Sequence, residues 1–112
     1  MSPGDVCWVS LPDRAGHAQA GRRPAIVIQG SAASAALPTL LLVPLTTQID
    51  ALRFPGTVLV EADPQNGLRR VSVALVFQLT AVDRRLVGPN VGTVSEKVLA
   101  AIWNALEELA GR

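Results

Sequence analysis

Short apolar runs, separated by clusters of glycine and proline, mark the chain as a series of strands closed by one helix. Residues 5–10 (Asp-Val-Cys-Trp-Val-Ser) alternate, with Val6 and Trp8 on one face and Cys7 and Val9 on the other. Residues 11–22 follow, punctuated by Pro12, Gly16 and Gly21. That stretch is too long for a tight hairpin, which makes it a candidate functional loop. Residues 23–29 read as a second strand. Pro24 has no N–H to donate, so it belongs at that strand's start or on an edge. A small-residue connection with a helical turn is expected over 30–36, and a near-continuous apolar strand, buried on both faces, over 39–45. Residues 46–55 form a second long loop carrying Arg53 and Phe54. Further strands are expected over 56–61, over 71–79 and, shorter, within 86–94, with Asp-Pro-Gln-Asn-Gly at 63–67 a strong turn signal between the first two.

The period then changes. Val98, Leu99, Ile102, Trp103, Leu106 and Leu109 repeat at i, i+3, i+4, the stripe of an amphipathic helix. Ser95 stands at its N-cap, Glu96 complements the dipole in the first turn, and Gly111 can end it. Many strands without βαβ alternation predict an antiparallel meander. Together with a closing helix, this predicts a mainly β fold, a small curled sheet or SH3-like barrel, in a single domain over 1–112.

Composition narrows the class. Apolar residues make up 49% of the 112 residues and charged ones 17%. Mean hydropathy is +0.34, which excludes a disordered chain. So apolar a surface on so short a chain predicts that a second copy or a partner covers part of it. No apolar run reaches the roughly 18–20 residues of a membrane helix, and the first residues lack the pattern of a secretory signal. One cysteine, Cys7, and one histidine, His17, argue against an internal disulfide and against a His/Cys zinc site. A reducing cytoplasm is the simplest compartment. Net charge is only +1, so any nucleic-acid binding must come from a local cluster.

No Gly-rich phosphate loop, paired metal-ligand spacing or nucleophile elbow is present. What remains are polar residues where strands meet the two long loops: 16–24 (Gly-His-Ala-Gln-Ala-Gly-Arg-Arg-Pro) and 44–48 (Pro-Leu-Thr-Thr-Gln). Taken singly, most have bland readings. Arg23 is a solvated strand-end arginine and Thr46 an ordinary strand-end threonine. Arg14, Arg22 and Arg53 are either loop surface or phosphate contacts. Gln19 and Gln48 either hold the loops or read a base edge, and His17 is either simply exposed, a phosphate ligand or a base. Trp8 and Phe54 could stack on bases, though Trp8 reads first as core or interface; Trp103 reads as packing, Cys7 as a buried small apolar residue, and Arg69, Arg70, Arg84 and Arg85 as solvated surface.

The order of these motifs changes the weighting. Gly4-Asp5-Val6, then 16–19 leading into Gly21-Arg22-Arg23-Pro24-Ala25-Ile26-Val27-Ile28, then Val43-Pro44-Leu45-Thr46-Thr47-Gln48, Asn66-Gly67-Leu68 and Ser72-Val73-Ala74-Leu75 resemble the MazF/PemK family of toxin–antitoxin toxins over nearly the whole chain. The resemblance implies an SH3-like barrel homodimer that cleaves single-stranded RNA sequence-specifically, without a metal or other cofactor. The substrate's 2′-hydroxyl is the nucleophile, and the ends are a 2′,3′-cyclic phosphate and a 5′-hydroxyl. It also implies a cognate antitoxin that lays a flexible acidic and apolar segment over the RNA surface. The family's catalytic Arg, directly before Pro, falls on Arg23, and its catalytic Thr, first of the Thr-Thr pair, on Thr46. Arg14, His17, Gln19, Arg22, Thr47, Gln48, Arg53 and Phe54 become RNA-binding candidates.

Chemistry agrees with that carry-over. The pentacoordinate transition state gains negative charge, and an Arg fork supplies fixed charge-assisted donors to it. A Thr hydroxyl adds one more. Two positions depart from the family pattern. Ala18 stands where many members have Glu, a natural base or partner for the Arg, which predicts an attenuated form, through natural variation or replacement. Phe77 stands where many have an acidic residue before the Gln that matches Gln78. The rival readings are a non-catalytic toxin of the same fold that acts by binding a protein, as the gyrase poison CcdB does, and an inactive decoy for antitoxin.

Overall fold

The computed structural model describes residues 1–11 and 21–112. Seven strands form one curled antiparallel sheet: β1 (Asp5–Leu11), β2 (Gly21–Val27), β3 (Thr39–Thr46), β4 (Thr57–Val60), β5 (Ser72–Leu75), β6 (Thr80–Asp83) and β7 (Val87–Thr93). Their order is β4-β5-β3-β2-β1-β7, with β6 also pairing with β3. A short helix α1 (Ser31–Ala36) joins β2 to β3, and α2 (Glu96–Leu109) closes the chain. The architecture is the expected β fold with a terminal helix. It is no simple meander, because β5 lies beside β3 and β7 returns to β1.

Prolines set the breaks. Pro24 lies within β2, three residues after the strand's start at Gly21, opposite Trp8 of β1. The β2–β3 ladder runs only from Val27↔Leu42 to Ala25↔Pro44. It stops where the next residue of β2, Pro24, has no N–H to offer. On its other side β3 pairs with β6 up to Leu42↔Thr80 and with β5 from Leu45↔Ala74, so Pro44 falls in the gap between the two partners. Opposite that gap the strand expected over 71–79 breaks into β5, a 3-10 turn (Val76–Gln78) and β6. Leu41 of β3 is exposed, against the expectation of burial on both faces.

The main core lies between the curled sheet and α2, around Val6, Ile26, Val43, Leu45 and Ile102. A smaller cluster of Val9, Leu11, Ala25, Leu42 and Val82 fills the other side of the central strands. The helix is capped as its sequence dictates: the Ser95 hydroxyl accepts the Val98 N–H at 3.2 Å. At the far end the Gly111 N–H donates to Glu108 and the Arg112 N–H to Glu107, with Gly111 at φ +75°. Trp103, expected to pack, is 42% exposed. Arg84 is not merely solvated surface: its guanidinium donates to the Ser34 and Leu37 carbonyls at the end of α1. Arg85 pairs with Asp83 at 3.0 Å, which holds that carboxyl below its usual range.

The 63–67 turn does more than reverse the chain. Buried Asn66 accepts the Asp63 and Leu68 N–H groups and donates to the Glu61 carbonyl. The Gln65 carbonyl accepts the Thr93 N–H at 2.9 Å, which ties the turn to β7 across the open side of the sheet. Gly67 sits at φ +71°, and a Cβ there would run into the Val91 carbonyl. Gly67→Ala should therefore cost about 3 kcal/mol or more, from backbone strain and overpacking together. The check is the denaturant midpoint. A shift equivalent to less than about 1 kcal/mol would show that the turn and β7 separate easily.

Candidate functional site

Continuing the β2–β3 register by two residues past Ala25↔Pro44 places Arg23 opposite Thr46, on matching faces of the two strands. The ladder has already ended there, and a cleft of about 360 Å³ opens between the strand ends. Arg22, Arg23, Thr46, Thr47 and Gln48 line it, with Trp8, Pro24, Leu45 and Ser72. Two residues that the sequence keeps far apart thus meet in one groove.

Each side chain is positioned by its element. Thr46 ends β3 and is buried, and its Oγ1 accepts the Gln48 backbone N–H at 3.2 Å. That bond takes up a lone pair and leaves the hydroxyl hydrogen for another acceptor. Arg22 lies with its guanidinium 4.8 Å from the centre of the Trp8 ring, a cation–π contact that holds the charge at the cleft wall. Ser72 is buried beneath, its hydroxyl donating to the Arg70 carbonyl at 3.1 Å.

Two further cavities continue this cleft. One, of about 460 Å³, shares Trp8, Arg22, Pro24, Thr47 and Ser72 with it and adds Leu68, Arg69 and Arg70. The other, of about 540 Å³, shares Thr46 and Gln48 and adds Arg53, Phe54, Phe77 and Gln78. Arg53 lies 4.6 Å from the centre of the Phe54 ring. Five arginines and no carboxylate line the whole groove among the described residues. A chain of net charge +1 therefore concentrates positive charge along one path, the electrostatics of a polyanion site.

Of the residues singled out from sequence, Arg22, Arg23, Thr46, Thr47 and Gln48 gather in the central cleft, and Arg53 and Phe54 in the adjoining one. Arg14, His17, Ala18 and Gln19 lie outside the described residues. Sequence reasoning left Trp8 between core, interface and a stacking surface for bases; it is half-buried and forms a wall of the groove, which removes the core reading. It also set Arg69 and Arg70 aside as surface. Their position directly after the 63–67 turn, and just before β5, was the available signal. Cys7 is fully buried, and burial together with the nearby Asp5 charge pushes its thiol up to about 11, so it has no nucleophilic role. No cluster of metal-ligating side chains occurs among the described residues, and no described helix is long and apolar enough to cross a membrane.

Known proteins share both sequence and shape with this chain. The sequence model of one family, described as PemK-like, MazF-like toxin of type II toxin–antitoxin system, matches residues 2–110. The endoribonuclease EndoA of Bacillus subtilis is 28% identical over 104 residues, covering 93% of this chain and 89% of that protein. A crystal structure of MazF from Deinococcus radiodurans superposes with a TM-score of 0.84 at 25% identity, over 100% of this chain and 97% of the other. A MazE–MazF structure from the same organism gives 0.78 at 26% identity, over 99% and 96%.

Proposed function

The chain belongs to the PemK-like, MazF-like toxin family of type II toxin–antitoxin systems and is an endoribonuclease; from that premise we propose that the groove between β2 and β3 holds single-stranded RNA and that Arg23 and Thr46 are its catalytic residues. The observation that carries this reading is the meeting of Arg23 and Thr46 in one arginine-lined cleft.

The chemistry follows from those two groups. The RNA 2′-oxygen attacks the adjacent phosphorus and gives its proton to solvent water, the bond from phosphorus to the 5′-oxygen breaks, and the departing 5′-oxygen takes a proton from solvent. The products are a 2′,3′-cyclic phosphate and a 5′-hydroxyl. Negative charge grows on the non-bridging oxygens, where the Arg23 fork and the Thr46 hydroxyl donate. Arg23 is unsuited to be the base, because a guanidinium has no free lone pair with which to accept a proton while it is charged. Arg22, Arg53, Arg69 and Arg70 neutralise flanking phosphates, and Thr47 and Gln48 face the splayed nucleotides.

Partners complete the reading. A cognate antitoxin is a partner, as in the MazE–MazF structure of a relative, and the arginines of the groove suit an acidic segment laid over it. The protein acts as a homodimer: Leu52, Leu59, Trp103 and Leu109 leave large apolar side chains exposed on the 49–53 turn, β4 and α2, which neighbour one another. The name endoribonuclease carried by its relatives favours cleavage over the protein-binding alternative.

The test is to incubate the purified protein, its mass measured by light scattering, with mixed-sequence RNA in EDTA and to map the ends. Cuts at a defined short sequence, with cyclic phosphate and 5′-hydroxyl termini, are expected from a dimeric species. Intact RNA, or 3′-hydroxyl and 5′-phosphate ends, would overturn the proposed chemistry.

A further inference from the structure

Not one of the chain's four aromatic residues is in the core. Aliphatic side chains fill the interior, while Trp8, Phe54 and Phe77 line the groove and Trp103 lies on the outer side of α2. Both phenylalanines are exposed, Phe54 at 40% and Phe77 at 38%, although phenylalanine is ordinarily a buried residue. They touch each other with ring centres 5.6 Å apart and planes tilted by 56°. Arg53 covers part of Phe54.

The backbone fixes Phe77 in this place. It is the central residue of the Val76–Gln78 turn, behind the fully buried Val76. Its N–H donates to the Gly56 carbonyl at 3.1 Å, and the next turn bond runs from the Leu79 N–H to Val76. The ring is thus a preformed surface. Around it the cavity offers further apolar lining from Ala51 and Leu75 and the amide side chains of Gln48 and Gln78. Apolar walls with amides suit a flat group that has polar edges, which describes a nucleobase better than a phosphate. The slot shares Thr46 and Gln48 with the cleft that holds Arg23, so a base seated in it lies next to a phosphate seated in that cleft.

We propose that Phe77 is a specificity-determining residue: its ring, buttressed by Phe54, stacks on the base that flanks the scissile phosphate on the side away from Trp8 and Arg22. The two phenylalanine rings are in mutual contact, so the base covers their outer surface and does not slide between them. This inference rests on the ribonuclease reading above, and adds to it which nucleotide is selected and by what force.

The experiment maps cleavage of a randomised RNA pool by the wild type, Phe77→Leu and Phe77→Tyr. Leu keeps the apolar contact with Phe54 and loses the ring, while Tyr keeps the ring. Phe77→Leu should cut the wild-type sites about ten- to a hundredfold more slowly, the usual scale for one lost base–aromatic stack. Its preference should relax at one position flanking the cut and stay unchanged at the others, and Phe77→Tyr should keep the wild-type profile. Wild type acting on RNA that is abasic at that position should be as slow as Phe77→Leu on intact RNA. A Phe77→Leu profile equal to wild type, or a uniform loss at all positions in a variant of unchanged melting temperature, overturns the inference and leaves the ribonuclease reading standing. A wild type that cuts no RNA overturns both.

Discussion

Arg23→Ala should lower the rate of RNA cleavage by about 10²–10³-fold, the cost of removing a preorganised donor from a developing oxyanion. The loss should appear in kcat, because the interaction strengthens only as charge accumulates in the transition state. Arg23→Lys should recover little of it. An ammonium supplies the charge but not two parallel donors in one plane. Thr46→Val provides the neighbouring control. It keeps the shape of the buried strand end but deletes both the hydroxyl donor and the acceptor of the Gln48 N–H. Single-turnover cleavage of a short RNA carrying one site measures these effects directly. Less than a tenfold loss in Arg23→Ala would remove this residue from the chemistry and shift attention to the other groove arginines.

RNA affinity should fall about 20- to 100-fold between 50 and 200 mM salt. Arg22, Arg23, Arg53, Arg69 and Arg70 line the groove, and three to five phosphate contacts on a single strand give a slope of log K against log salt of about −2 to −3.5. The net charge of +1 would by itself predict almost no such dependence, so the measurement separates a local charged path from a whole-molecule field. Replacing Arg69 and Arg70 together by Ala should flatten the slope by about 1.4 and leave the cleavage sequence unchanged, because phosphate contacts position and base contacts specify. A slope near zero in the intact protein, or one that the double replacement leaves unaltered, would mean that RNA takes another route.

Period and punctuation in the chain determined most of its elements. The 3.6-residue stripe with Ser95 and Gly111 at its ends defined α2 closely, because caps and amphipathicity are local properties. Alternation and apolar runs located β1, β3 and β4, and Asp-Pro-Gln-Asn-Gly located the turn. The ordered motifs around Arg23-Pro24 and Thr46-Thr47-Gln48 singled out the two central site residues without any coordinates. Other features depended on partners distant in sequence. The break of the 71–79 run into β5, a turn and β6 shows only against β3, where the two residues Val43 and Pro44 lie opposite the five residues 75–79, so no window over 71–79 reveals it. Trp8 stayed open between core, interface and stacking surface because its alternation with Val6 does not tell which end of a strand opens into a cleft. Arg69 and Arg70 looked like surface because the groove they join is made when the 63–67 turn is tied to β7. Phe54 and Phe77 come from separate segments, and their pairing exists only in three dimensions. Local chemistry thus determined which residues could act, while the register between β2 and β3, and the point where a proline ends it, decided that Arg23 and Thr46 line the same cleft.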